Sequence, residues 1–357
     1  MRAPTATTIA AVLCPALFFC AHSASALVTT CVHNPAELQA ALTAAQGSTD
    51  QNNIEIARGF YAAGATFAFY SLASTQGQLD VTGGYDSNCT ATTQDPAGTI
   101  LDGGGSNVVM TLESWGGISV RWLTIQNGYQ VGNVSGTGGL LVESITGSVI
   151  VHYNIIRNNR SNGSFGGMYV ATDPANFSTT STGNMSIWGN LLVDNTAAEQ
   201  PAGAFLYNSG SGTISVTNNT VANNVLGENG VGLTGGVQIG STDDSYVSNN
   251  ILYANTANTY DLFGYGNLVL ADNDIGVRGG TIDAGSSGNV SVDPRFSGSA
   301  DYRLLPTSTL LAIGTLSPGG GLPTIDLEGH ARTDTNNHVD PGAYERGDEI
   351  YASNFED

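Results

Sequence analysis

The chain has 357 residues, of which 30 are acidic and 10 basic, and its formal net charge is −20. A surface of that sign repels nucleic acid and anionic lipid, so neither is expected as a partner. It also disfavours anionic polysaccharides unless calcium bridges them. The 47 glycines, with many Asn, Ser and Thr residues, favour turns and short strands over helices.

The first 26 residues are typical of a secretory signal peptide. Arg2 is the only early charge, Ile9–Phe19 is apolar, and Ala24-Ser25-Ala26 offers a small-residue cleavage site. We expect cleavage at the end of this stretch, a secreted or cell-surface location and no transmembrane segment. Cys31 and Cys89 then remain, and a disulfide between them is expected in an exported protein.

Residues 27–97 are predicted to form an N-terminal cap and the first strands. Within them, Asn34–Ala45 is the one clear amphipathic helix. Asn34 can cap it, Pro35 suits its first turn, and Leu38 and Leu42 lie four residues apart. A helix here would cover the end of a repetitive structure, which otherwise exposes apolar core and strand edges.

Residues 98–290 contain a short pattern, loosely V-x-x-N-x-I, that occurs five times. Spacing of this order indicates a solenoid with one coil per repeat. An earlier copy, Val120–Ile125, carries Leu123 in the asparagine position. At a corner of each coil, inward asparagines can bond to their own backbone and to one another, so they are predicted to form a structural ladder. The ladder residues are Asn154, Asn190, Asn219, Asn250 and Asn273.

A second piece of each coil opens with glycine and alternates inward apolar residues with outward ones, as strands do. Each piece pairs most simply with its own copy one coil away. The sequence therefore predicts an all-β fold, a right-handed parallel β-helix. A second asparagine-rich corner follows each ladder position and is interpreted as turn residues: Asn158-Asn159, Asp194-Asn195, Asn223-Asn224 and Asn255.

Residues 291–346 lack the coil pattern and are predicted to lie as an irregular segment against the solenoid, followed by an acidic tail at 347–357. The sequence resembles the closing segment of bacterial secreted β-helix proteins of the choice-of-anchor Q type, within the pectin-lyase-like fold. The resemblance lies in Asp293–Phe296, Asp301–Leu304, Asp326–Arg332 and Val339–Glu345. The sequence departs from the family pattern at Leu311–Gly314. The resemblance implies export and a Gram-negative setting, but no agreed activity.

No complete set of catalytic residues is recognisable. A polysaccharide lyase would need calcium carboxylates and a base, and Arg157 or Arg160 would have to serve because lysine is absent. The available carboxylates, Asp194, Glu199 and Asp243-Asp244, are expected at corners of different coils and are interpreted as solvated turn residues. A polygalacturonase-like series of motifs is also incomplete. We therefore predict no catalytic set, no metal and no cofactor, with calcium possible only for a lyase.

Outward-facing aromatic columns are the best indication of function. Coils stack about 4.8 Å apart, so side chains at equivalent positions would form contiguous patches. The first column lies just before the ladder positions and contains Arg121, Trp122, His152, Tyr153 and Trp188. The second lies on the glycine-led strands and contains Leu141, Tyr169 and Phe205, with Tyr207 beside it.

Aromatic faces with neighbouring polar groups suit sugar rings, and a large exposed apolar patch usually contacts something. The predicted function is therefore interaction with a polysaccharide or cell-surface glycan through a lateral face. One alternative is that loops or the C-terminal segment cover the columns. Two other functions stay open: a lyase or glycoside hydrolase with an atypical site, and a structural surface protein or adhesin.

Overall fold

The computed structural model describes residues 26–132, 136–172, 182–199, 201–227, 234–256 and 259–346. Over these residues the chain forms a right-handed parallel β-helix, and the predicted fold class is confirmed. All pairings between its named strands are parallel. The predicted signal peptide, apart from Ala26, and the acidic tail lie outside the described residues.

Each full coil passes through four sheets, here numbered I to IV in chain order. Sheet I contains Phe67–Ser71, Met110–Ser114, Leu140–Ser144, Met168–Thr172, Ala204–Asn208, Thr234–Ser241 and the first half of Tyr260–Ala271, along which the last strand Arg278–Ile282 pairs. Sheet II contains Leu27–Val32, Gln51–Ala57, Leu79–Tyr85, Ile118–Arg121, Val149–His152, Met185–Trp188, Ile214–Thr217, Ser245–Ser248 and the second half of Tyr260–Ala271.

Sheets III and IV complete the coil. Sheet III contains Gly59–Ala62, Thr99–Asp102, Thr124–Gln126, Ile155–Arg157, Leu191–Val193, Thr220–Ala222, Ile251–Tyr253 and Asp274–Ile275. Sheet IV contains Tyr129–Gln130, Arg160–Ser161, Thr196–Ala197 and Val225–Leu226. Because Tyr260–Ala271 belongs to both sheet I and sheet II, these two form one continuous 16-stranded sheet.

The core is built by alternation within each short strand. In sheet I, Leu112, Val142, Val170 and Leu206 lie in register on successive coils and are almost fully buried. The residues on either side of them point outward. Burying one such side chain stabilises the fold by about 1.5–3 kcal/mol, and the same contact recurs coil after coil.

The corner between sheets II and III carries a continuous asparagine ladder. The backbone N–H and the side-chain amide of Asn190 both donate to Oδ1 of Asn219, at 3.0 and 2.9 Å. The same double contact joins Asn154 to Asn190 and runs on through Asn250 to Asn273. Leu123 occupies the ladder position one coil earlier, and its N–H donates to Asn154 Oδ1 at 3.1 Å.

The next corner, between sheets III and IV, carries a second ladder at positions predicted only to be turn residues. Its members are fully or almost fully buried and repeat the double contact: Asn159, Asn195, Asn224 and Asn255. The ladder ends on the Asp261 carboxylate, which accepts from both the N–H and the amide of Asn255. Inward-turned amides thus satisfy buried backbone groups at both corners.

The solenoid begins earlier in the chain than predicted, within the region expected to form only an N-terminal cap and the first strands. Parallel pairing starts at Leu27–Val32, so the predicted start of the coils at residue 98 is too late. Helix α1, Pro35–Ala45, has Asn34 as its N-cap, as predicted. The side chain of Gln39 exchanges hydrogen bonds with the backbone of Ala68, on the free edge of sheet I, so the helix covers that edge.

The predicted disulfide is confirmed: Cys31 and Cys89 are bonded. The bond ties the first strand of sheet II to the turn that follows Leu79–Tyr85. Within the described ranges, no helix has the length and apolar character needed to cross a membrane.

Candidate functional site

The first aromatic column has the predicted register. His152 pairs with Arg121 on one side and with Trp188 on the other. The rings of Trp122 and Tyr153 stack with centroids 4.3 Å apart, and Trp188 meets Tyr153 edge-on at 4.8 Å. Trp122 and Tyr153 have left-handed φ angles of 58° and 55°, which turn their side chains away from the core at the first corner.

The expectation that this column is open to solvent is wrong for three of its members. Trp122 and Tyr153 are each 4% exposed, and His152 is 7% exposed. The C-terminal segment (residues 291–346) covers Trp122 and Tyr153, as the alternative interpretation predicted, and the Tyr153 hydroxyl donates to the carbonyl of Ile325 at 3.0 Å. His152 is packed between Tyr153 and Trp188. The segment residues packed here are Phe296, Tyr302, Ile325, Leu327, Ala343 and Tyr344. Arg121 and Trp188 remain half-buried.

The C-terminal segment docks on the side chains that project from this corner. The Asn218 amide donates to the carbonyl of Asp340 at 3.1 Å, and the Asn249 amide donates to the carbonyl of Thr315 at 2.9 Å. Asn218 and Asn249 also have left-handed φ angles, one position before the ladder. A corner that directs side chains outward on each coil thus provides a row of docking points.

A buried polar network holds the segment in its own fold. The Arg332 guanidinium is fully buried and donates to the carbonyls of Gly342 and Ala343 at 3.1 and 3.0 Å. It lies 3.6 Å from the carboxylate of Glu345. Burial, and then the charge of Asp340, raises the pKa of Glu345 to about 9.

His152 is kept neutral in this setting. Burial lowers its pKa to about 3, and the Arg121 charge acts in the same direction. Its ring lies 4.2 Å from that of Trp188, and its Nδ1 has no hydrogen-bond partner among the described residues. A neutral ring packed in an aromatic stack acts as part of the packing rather than as a proton donor.

The second column, on the outer face of sheet I, is not buried in the same way. Tyr169 pairs with Leu141 and Phe205 as predicted, and all three side chains are half-buried. Phe165, which the sequence analysis did not single out, stacks on Tyr169 and Phe205 with centroids 4.8 and 5.1 Å away. Tyr207 lies 6.0 Å from Phe205 and is also half-buried.

The absence of a side chain at Gly240 makes room for Tyr207. A Cβ at Gly240 would lie only 3.0 Å from the Tyr207 ring, so the ring leans across the neighbouring coil. On the next coil Gln238 takes the position of Phe205, and Phe263 takes it on the coil after that, where its ring meets that of Tyr265 at 4.9 Å. We call the set Phe165, Tyr169, Phe205, Tyr207, Phe263 and Tyr265 the open aromatic face.

Two carboxylates share this face and were missed by the sequence analysis. Glu113 and Glu143 are directly paired on adjacent strands, next to Tyr169. Burial, then the Glu113 charge, raises the pKa of Glu143, while a hydrogen bond from Tyr169 opposes that shift; burial also raises the pKa of Glu113. Their common fourth position in Met110–Ser114 and Leu140–Ser144 was the sequence signal that could have found them.

The other carboxylates considered from the sequence do not converge. Asp194 lies 3.5 Å from the Tyr302 hydroxyl, Glu199 accepts from Ser164 at 3.1 Å, and Asp244 accepts from the Asn267 amide at 2.8 Å. They occupy the second corner, the turn after sheet IV and the turn after sheet I. This matches their interpretation as turn residues.

The described residues contain two groups whose atoms are close enough to share a metal ion. One is Cys31, His33 and Cys89, whose sulfurs are joined in the disulfide. The other is Asp326, Glu328 and His330. In that group Asp326 accepts three backbone N–H groups and Glu328 is ion-paired with an arginine, so hydrogen bonds within the segment account for both.

Comparison of the chain with protein-family models, with curated proteins and with solved structures finds no match. The class of the protein is therefore defined by its fold, a right-handed parallel β-helix with an N-terminal helical cap and an irregular C-terminal segment laid along one corner.

Proposed function

We propose that the protein is exported and binds extracellular carbohydrate through the open aromatic face. The observation that carries the proposal is the stacked array of half-buried rings around Phe205 on the outside of sheet I. Sugar rings present flat C–H surfaces that pack on such rings, and neighbouring polar groups such as Glu143 can bond to hydroxyl groups. The Cys31–Cys89 disulfide supports an oxidising, extracytoplasmic location.

We further propose that the chain is a choice-of-anchor Q protein within the pectin-lyase-like fold. The support is the closing segment, whose matching stretches supply Asp326, Arg332, Asp340 and Glu345 to the buried network. Because these residues hold the segment together, we expect them in other proteins whose closing segment packs in the same way.

The face is tested by a glycan array on the purified protein, followed by affinity electrophoresis with a retained glycan. We expect the double variant Phe205→Ala/Tyr207→Ala to bind at least about tenfold more weakly, since each aromatic contact contributes about 1 kcal/mol. Val225→Ala is the matched control, because Val225 is 49% exposed on sheet IV, away from the face. Equal retention by the double variant and the control would refute the proposal.

A second candidate function is glycoside hydrolysis on the same face, favoured by the Glu113–Glu143 pair. Two adjacent carboxyl groups, both with pKa values raised by burial, can serve as acid and base, or as acid and nucleophile. Incubation with a polysaccharide panel, with and without chelator, tests it. New reducing ends that disappear in Glu143→Gln while glycan retention persists would favour the hydrolase, and chelator-sensitive unsaturated products would favour a lyase. If neither appears and no glycan is retained, a structural surface protein or adhesin becomes the better reading.

A further inference from the structure

A pocket of about 480 Å³ lies at the second corner, away from the open aromatic face. It is lined by Gly104, Gly105, Asn127, Gly128, Tyr129, Asn158 and Arg160. Tyr129 and Arg160 face it from adjacent strands of sheet IV, where they are directly paired. The volume falls in the range of small-molecule sites.

The walls of the pocket are held by hydrogen bonds. The Asp102 carboxylate accepts from the Gly104 N–H and from the Asn127 amide, both at 2.7 Å. Gly104 and Gly105 have left-handed φ angles of 59° and 69°, and a Cβ on either would meet no atom within 4 Å. A side chain at these positions would enter open space, so the two glycines leave the pocket unfilled.

Among the residues that line the pocket, the only charged one is a cation, Arg160. The Arg160 guanidinium lies 5.5 Å from the centre of the Tyr129 ring and forms no ion pair within the described ranges. Arg58 and Arg303 are paired with carboxylates, whereas Arg160, like Arg278, is not. An arginine left without a carboxylate in a chain with three times as many acidic as basic residues is available for an anionic ligand.

We propose that this pocket binds a single acidic sugar unit, a hexose that carries one carboxylate or phosphate group. The anionic group would pair with the Arg160 guanidinium, the sugar ring would lie against Tyr129, and the exposed Asn158 amide would bond to ring hydroxyls. This site is additional to the open aromatic face and does not depend on it.

The net charge restricts the ligand to one unit. A polyanionic chain would extend beyond the pocket over a surface of net charge −20 and would be repelled. A single charge placed at Arg160 is screened from the more distant carboxylates over a Debye length of about 8 Å. The pocket therefore suits a free acidic sugar or the end of a chain that is otherwise neutral.

Titration calorimetry on the purified protein tests the proposal with glucose, glucuronic acid, glucose 6-phosphate and a polyuronate chain as probes. We expect at least one acidic sugar to bind about tenfold or more tightly than glucose. Whichever of glucuronic acid and glucose 6-phosphate binds more tightly shows whether the pocket prefers a carboxylate or a phosphate group. The polyuronate, per sugar unit, is expected to bind more weakly than glucuronic acid at low salt.

Arg160→Gln should remove the preference for the acidic sugar. Arg278→Gln is the matched control, because Arg278 is also exposed and without an ion pair in the described part of the chain. It should keep the preference, since Arg278 does not line the pocket. Gly105→Asn, which tolerates the left-handed backbone, should weaken binding by narrowing the pocket. Equal affinity for glucose and both acidic sugars, or an unchanged preference in Arg160→Gln, would overturn the proposal. Glycan retention by the open aromatic face should be unaffected by Arg160→Gln, so the two proposals fail separately.

Discussion

The two aromatic columns are built by the same rule but serve different purposes. Trp122 and Tyr153 project from a corner and are covered by the C-terminal segment, whereas Phe205 and Tyr207 project from a sheet and stay half-buried. Both columns arise because one coil places its side chains directly over those of the next. The comparison shows that repetition produces an aromatic stripe, while the rest of the chain decides whether the stripe is core or surface.

The covered column is held by polar groups as well as by packing. Where the corner residues are polar, as at Asn218 and Asn249, they bond to the backbone of the segment. Where they are aromatic, they pack beneath Leu327 and Ala343. On the described part of the open aromatic face, the carboxylates Glu113 and Glu143 accompany the rings instead. A polar group without a fixed backbone partner is what a ligand-binding face requires.

The largest expected effect is at the centre of the covering segment. Arg332→Ala should reduce the free energy of unfolding by about 3–5 kcal/mol, because it leaves the carbonyls of Gly342 and Ala343 without their donors and removes the positive charge beside the buried Asp326 and Asp340. Urea unfolding followed by circular dichroism measures the loss, and tryptophan fluorescence should shift to longer wavelength if Trp122 becomes exposed. Stability equal to that of the control Arg278→Ala would show that the segment does not depend on this network.

The next effect separates the two columns directly. Trp122→Ala should reduce the free energy of unfolding by about 3 kcal/mol, because it opens a cavity beneath the C-terminal segment. Phe205→Ala should reduce it by about 1 kcal/mol, because that ring already contacts solvent. Thermal unfolding of the two variants side by side makes the comparison. Equal losses would mean that the open aromatic face is as closely packed as the covered corner.

The remaining effect is a dependence of stability on pH. The folded pKa of Glu345 is about 9, well above its usual value of 4.5. The folded state therefore holds a proton that the unfolded state releases, and the free energy of unfolding should fall as pH rises from about 4.5 through about 9. Glu345→Gln should reduce this slope in urea unfolding at several pH values, and Glu328→Gln, on the surface of the same segment, should not. A slope unchanged by Glu345→Gln would show that a group other than Glu345 causes the pH dependence.

Much of the fold could be predicted because it depends on local pattern repeated at a fixed period. The register of His152 with Trp188 followed from counting back from the ladder asparagines, and that of Tyr169 with Phe205 followed from aligning the glycine-led strands. The helical cap followed from Asn34 and the apolar spacing behind it. The early start of the coils was missed because Leu27–Val32 and Gln51–Ala57 carry no copy of the V-x-x-N-x-I pattern.

The covering of the first column could not be predicted from spacing. The segment between Asp293 and Glu345 has no period, and its position depends on contacts between residues more than a hundred positions apart, such as Ala343 with Thr220. The pocket at Arg160 was missed for a related reason, since Gly104 and Tyr129 meet only when two coils stack.

The sequence by itself determined the coil, its corners and its side-chain columns, because backbone pairing between equivalent short strands repeats wherever the pattern repeats. The tertiary structure alone decided which column is buried, which carboxylates become neighbours and where a pocket remains, because these depend on how an aperiodic segment and the loops pack onto the solenoid. Burial, and with it the pKa of groups such as Glu345 and His152, is a property of that packing.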